Sequence, residues 1–349
     1  MSPHPDNKNA HLGSLGDPLG LYGVKIHNVY GDTKVHVTIT IDGLAEPSTF
    51  EGTMTDADRI YTITPYIRYK SNALANVNQP FPTTVVYQVA FNNMASEERT
   101  QSINVRSIND MPYSIQNGNE KTDTTLLFAA YVNENHPIID REILKDALAH
   151  RAVASFNGYD TDTTGVLRQI FAIWNSLQRH DVKYSSIVAP SGYSKGIQSQ
   201  HVRLIDESFK NSQANCVDGS VLIASALYKI GMCPVLIMKP GHMFLGVYSN
   251  QEACSRKKIN DMIFIETTRI GSIKPLNTLQ KNWRFKTDTG YMTSISYISL
   301  LGAIEAGEAE YNDISLAIRT GQRGYRTLDI DQLRKAGLTP ITRESNDSN

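Results

Sequence analysis

What this chain lacks narrows its function first. No run approaches the roughly 18 consecutive apolar residues that a membrane span requires, so no span is expected. The opening MSPHPDNKNAHLGS has none of the apolar core of a secretory signal. The cytoplasm is therefore the expected location, unless such a peptide has been removed. Lys and Arg number 34 against 35 Asp and Glu, a net charge of −1 with no long basic block, which argues against general nucleic-acid binding. HExxH, CxxC and GxGxxG are all missing, so no metal and no cofactor is expected. There are only 3 cysteines, an odd number without a CxxC pair, which fits neither a disulfide framework nor a structural zinc site. One of them is then expected to be present for its reactivity.

What is there falls into two patterns. A chain of 349 residues suggests about two domains. Residues 1–20 are rich in Pro, Asn, Gly and Asp and read as a poorly ordered lead-in, and residues 343–349 as a polar tail. Over residues 21–115 the periodicity is two. Val35–Ile41, Arg59–Thr64, Thr83–Phe91 and Gln101–Val105 are rich in β-branched and aromatic residues and stop at turn clusters. Short strands at this spacing predict an all-β, immunoglobulin-like sandwich. The turn-rich stretch 111–124 predicts a connector, and residues 116–342 a second domain. There the period changes to 3.6. Helices are predicted over Ile138–Val153, Gly165–Arg179 and Val217–Ile230, the last closed by Gly231. Strands are predicted over Pro234–Met238, His242–Tyr248 and Met262–Thr267. Helices followed by an antiparallel sheet make an α+β arrangement.

Three residues carry the chemistry. Cys216 lies at the start of the helix predicted from Val217, where unpaired amides and the helix dipole favour a thiolate and can face an oxyanion. A thiolate nucleophile needs an imidazole, and His242 follows the Pro240-Gly241 turn at the head of a strand. An acid should orient that imidazole, and Glu266 stands in the otherwise apolar run Ile263-Phe264-Ile265-Glu266. Each alone has a plainer reading. Cys216 could be a small packing residue, His242 a structural histidine, and Glu266 the partner of Arg269 or Arg203. Together, in this order, they fit one end of a sheet. Gln200 is a candidate second oxyanion donor, against an ordinary loop glutamine. Asp218 reads as a first-turn acid stabilising the helix, Cys233 as core, and Cys254, in a polar loop with Arg256 and Lys257, as a more exposed cysteine that could form an adventitious disulfide.

The run NCVDGSVLIASALYKIGMCPVLIMKPGHMFLGVY, followed by FIETT, resembles the core of the transglutaminase-like cysteine protease superfamily. The resemblance extends to VLRQIFAIWNSLQRHDVKY, to Ser199–Leu204, and to the late GAIEAGEAEYN and TLDIDQLRKAGLTPI, so it covers roughly residues 125–340. The β-rich front and LLFAAYVNENHP resemble the accessory domain that precedes this module in some bacterial proteins. The resemblance implies a papain-like fold with a Cys216–His242–Glu266 triad acting on a protein or peptide substrate, without a cofactor. Two departures stand out: Glu266 replaces the more common Asp, and Ala214-Asn215-Cys216 replaces a Gly-x-Cys approach. Peptide hydrolysis is the leading expectation. Transglutamination and deamidation differ from it in acceptor access rather than in the triad, and no Ca²⁺-loop pattern supports a calcium-activated cross-linker. The rival from another class is a non-catalytic scaffold whose front domain offers a candidate surface for a protein partner.

Overall fold

The computed structural model describes residues 12–342 apart from 19, 71–72, 93, 151, 187–194 and 273–293. The chain divides into two compact units between Ile108 and Asn109. The first unit is built from strands. Thr33–Ile41 buries Val35, Val37, Ile39 and Ile41 on one face, as its period of two requires. Each such side chain stabilises the fold by roughly 1.5–3 kcal/mol, so a one-residue slip of register is strongly opposed. This strand lies inside a four-stranded antiparallel sheet, in the order Ser48–Met54, Thr33–Ile41, Phe81–Phe91, Glu97–Val105. A second sheet runs Leu12–Gly16, Arg59–Thr64, Val24–Asn28, and its first pair is parallel. Tyr61 and Ile63 from this sheet join Phe50, Met54 and Val85 from the other in one core. Among the described residues of this unit there is no helix.

Two expectations change here. The lead-in is not irregular throughout, because Leu12–Gly16 is a strand paired with Leu15 facing the core. Residues 1–11 and 343–349 lie outside the described residues. The stretch 111–124 is not a connector either. Asp110–Asn117 and Glu120–Asp123 form a hairpin, and the first of these also pairs with Ile197–His201 in the second unit. Glu120–Asp123 is exposed and polar throughout, whereas Asp110–Asn117 buries Asp110, Met111 and Ser114, so the polar residues here belong to paired structure rather than a linker.

The second unit, Asn109–Thr342, is mixed α/β with several sheets, compatible with an α+β fold. Its main sheet is antiparallel, in the order Met262–Ile265, His242–Tyr248, Pro234–Lys239, Arg326–Asp329. The helix Cys216–Lys229 packs on the two central strands. The helix Thr163–Arg179 brings its buried Ile170, Phe171, Trp174 and Leu177 to the same core, and its Asp162 cap accepts from the Gly165 N–H at 2.8 Å. The helix expected over Ile138–Val153 is shorter: a π-helical turn, Ile139–Leu144, leads into Lys145–Ala149. The long helix Ile295–Arg319 packs against the strand Met262–Ile265. Gly307 permits that approach, since a Cβ there would sit 2.7 Å from the Ile265 nitrogen and the Phe264 carbonyl carbon.

The cysteines are the main correction. Cys233 and Cys254 form a disulfide, with Cα atoms 6.0 Å apart. Cys254 is not in an exposed loop but buried on the short helix Gln251–Arg256. The hairpin explains the pairing. Pro234 stands opposite Val247, so the return strand ends beside Cys233, and the next helix sets Cys254 over it. Cys216 is the one free cysteine.

Candidate active site

The site begins with how one helix starts. The Asn215 side chain accepts from the N–H groups of Val217 and Asp218 at 2.8 and 3.0 Å. In return the Asp218 carboxylate accepts the Asn215 N–H at 3.1 Å, completing a capping box. Cys216 is therefore the first helical residue, one position earlier than the apolar period suggested. At that position no carbonyl of the helix can accept its N–H. Asp218 is the first-turn acid expected, and it also accepts from the Arg203 backbone N–H at 2.8 Å and guanidinium at 2.7 Å. Burial pushes its carboxyl up, against these hydrogen bonds. Arg203 is thereby committed to Asp218 and does not pair with Glu266.

His242 and Glu266 come from neighbouring strands. Gly241, at φ +75°, turns the chain between Lys239 and His242, a conformation that glycine adopts at least cost. His242 follows at the strand head, with a side chain 21% exposed. The next strand ends at Ile265, one residue before Glu266, whose side chain is 7% exposed. The His242 Nε2 lies 2.7 Å from Glu266 Oε2, and Cys216 is near enough to the ring to raise its pKa. Thiol, imidazole and carboxylate are thus gathered in one place. Interactions with Cys216 and Glu266 push the His242 imidazole up to about 10, against the opposing effect of burial. Burial pushes the Glu266 carboxyl up, but bonds from His242 and from Thr268 outweigh it and hold the group below its ordinary range.

Four residues at the site were not singled out from the sequence. Thr268 donates both its N–H, at 3.0 Å, and its hydroxyl, at 2.7 Å, to Glu266 Oε1, leaving Oε2 for the imidazole. Ser220 and Thr267 donate to the Cys216 carbonyl at 2.7 and 3.3 Å, tying the Cys216 backbone to the residues that follow Glu266. The signal for the threonines was the polar step in Phe264-Ile265-Glu266-Thr267-Thr268, and for Ser220 its place one helical turn after Cys216. Tyr184 is the fourth. Partial burial and the charges of Cys216 and Glu266 raise its phenol, which marks it as a neighbour of both.

Cys216 and His242 open onto a cleft of about 700 Å³ lined also by Gln200, Val217, Met243 and Phe128. Gln200 is thus brought to the site, on the strand Ile197–His201. One of its amide hydrogens goes to the His201 carbonyl at 3.1 Å, which leaves the other for a ligand. A metal fits the described residues poorly. The one group of ligand-type side chains at metal spacing among them is Cys233, Cys254 and Asp331, and its two sulfurs are joined to each other. No helix among those described is long and apolar enough to cross a membrane. Comparison of the chain with protein-family models, with curated proteins and with solved structures finds no match.

Proposed function

We propose that this chain is a cysteine-dependent hydrolase of amide bonds, acting as a protease through Cys216, His242 and Glu266. The observation that carries the reading is the convergence of the three residues: His242 bonds Glu266 at 2.7 Å, and Cys216 lies beside the same imidazole at the wall of a cleft. In this reading the Cys216 thiolate attacks an amide carbonyl carbon, and the Cys216 N–H with Gln200 holds the oxyanion. The C–N bond breaks as His242 gives its proton to the leaving amine. Water, deprotonated by His242, then attacks the thioester and releases the acid and the thiolate. Glu266 keeps the imidazole oriented throughout and stabilises it whenever it carries the proton.

The order of helix, hairpin and strand around these residues supports a papain-like, transglutaminase-like fold, and the two-sheet front unit an immunoglobulin-like sandwich. The closeness of Cys216 and His242 at the wall of one cleft speaks against the scaffold reading, which needs the two residues apart. The disulfide speaks against the cytoplasm, where thiols are kept reduced, so we assign the protein to an oxidising compartment. Incubating wild type and Cys216→Ala with a complex protein mixture tests the activity. New peptide termini made only by wild type support the protease. Cross-links, or glutamine-to-glutamate conversion, made only by wild type would replace it with the transglutaminase or deamidase. None of the three would return the scaffold.

A further inference from the structure

The chain as a whole is slightly acidic, with a net charge of −1, yet the cleft beside Cys216 is basic. Its lining holds Lys121, Lys239, Arg323 and Arg326 against a single acid, Asp123. These cations come from separate elements. Lys121 lies on the strand Glu120–Asp123, Lys239 before the Pro240-Gly241 turn, Arg323 in the loop after the long helix, and Arg326 on the strand it opens. Two are compensated: Arg326 pairs with Asp123 at 3.2 Å, and Lys239 with Glu310. Lys121 and Arg323 are exposed and have no acidic partner among the described residues. An uncompensated pair of cations facing one cavity attracts anions, most of all where the walls are of low dielectric. The cleft also has apolar walls, with Phe128 and Met243 buried beneath it. A hydrophobic wall with a cationic rim suits the carboxylate of a polypeptide, held by its backbone and methylenes as well as by charge.

On the reading of Cys216 as nucleophile, we propose that Lys121 and Arg323 select substrates carrying Asp or Glu next to the attacked amide. Lys121 and Arg323 are then specificity residues, acting on the substrate's side chain and not on the reacting atoms. The partner is an acidic, extended protein segment.

A matched pair of peptidyl chloromethyl ketones, identical except for Glu or Gln beside the reactive carbon, isolates the charge. With the full-length protein, the Glu compound should alkylate Cys216 about tenfold faster than the Gln compound at low salt. The preference should shrink at roughly 0.5 M salt and approach unity in Lys121→Gln/Arg323→Gln. Because the His242 imidazolium also attracts anions, the change on mutation is the diagnostic, and Lys121→Glu/Arg323→Glu should reverse the preference. Equal rates for both compounds in wild type, or a preference that survives both double variants, overturns the proposal. If neither compound labels Cys216 faster than it labels free cysteine, the nucleophile reading fails instead. Binding of the same peptides without the reactive group, followed by fluorescence anisotropy, then decides the charge preference. Tighter binding of the Glu peptide, lost in the double variants, supports the proposal, and equal binding overturns it.

Discussion

The two ends of one helix treat the same residue type in opposite ways. At the start of Cys216–Lys229, Cys216 stands free among polar groups that are nearly all engaged: Asn215, Asp218, Arg203, Ser220, Thr267, His242, Glu266 and Thr268. Past the other end, Gly231 at φ +82° reverses the chain, and the Met232 N–H donates to the Leu227 carbonyl at 3.0 Å. Cys233 follows at once, 7% exposed, in an apolar cluster with Val235, Phe244, Tyr248 and Phe264, and it is bonded to Cys254. A thiol is poised for chemistry where an imidazole and unpaired backbone donors meet it. It becomes a structural link where apolar side chains surround it and a second sulfur lies within reach. The helix connects the two, so the active end rests on a stem fixed at its far end.

Breaking the active end should have the largest effect. Glu266→Gln keeps the shape but removes the charge that holds the imidazolium, and turnover should fall roughly 10²–10⁴-fold in a steady-state assay. Thermal unfolding should change far less. Asp218→Ala should do the reverse, costing roughly 3–5 kcal/mol in a urea titration, because Arg203 and the Asn215 N–H lose a buried acceptor. Breaking the far end sharpens the contrast. Cys233→Ala/Cys254→Ala opens a link across a sequence separation of 21 and should lower stability by about 3 kcal/mol, with thiol labelling at Cys216 retained.

The smallest effect separates the ends by pH. The folded His242 is raised from 6.5 to about 10, so its contribution to stability is full below pH 6.5 and is lost as pH rises through 10. The folded Glu266 lies below 4.5, so its contribution is full above that pH and lost as pH falls through the folded value. The difference in Tm between wild type and His242→Gln should therefore shrink from neutral pH toward pH 10. For the disulfide variant the difference should stay flat over that range, since a disulfide does not titrate.

These contrasts also mark what could be read without a structure. The Cys216 helix, its Gly231 end, the His242 turn and the strand His242–Tyr248 were legible because periodicity and turn residues are local signals. The residues that hold the site were less so. Thr267 and Ser220 act by converging on one carbonyl from separate elements, and Thr268 by cradling an oxygen of its neighbour, contacts no pattern announces. A disulfide at Cys254 was left open, but Cys233 was read as core, because their pairing depends on how far the return strand runs, which spacing alone does not set. The hairpin over Asp110–Asp123 was missed because Glu120–Asp123 is exposed and as polar as a loop, and Asp110–Asn117 buries polar Asp110 and Ser114 beside Met111.

The account rests on Cys216 and His242 working as a pair, and iodoacetamide labelling near pH 6 tests this most directly. Cys216 in the folded protein should be alkylated at least about tenfold faster than in the same chain unfolded in urea, and His242→Ala should remove the excess. Equal rates in the folded and unfolded chains, or an excess that persists in His242→Ala, would contradict the account.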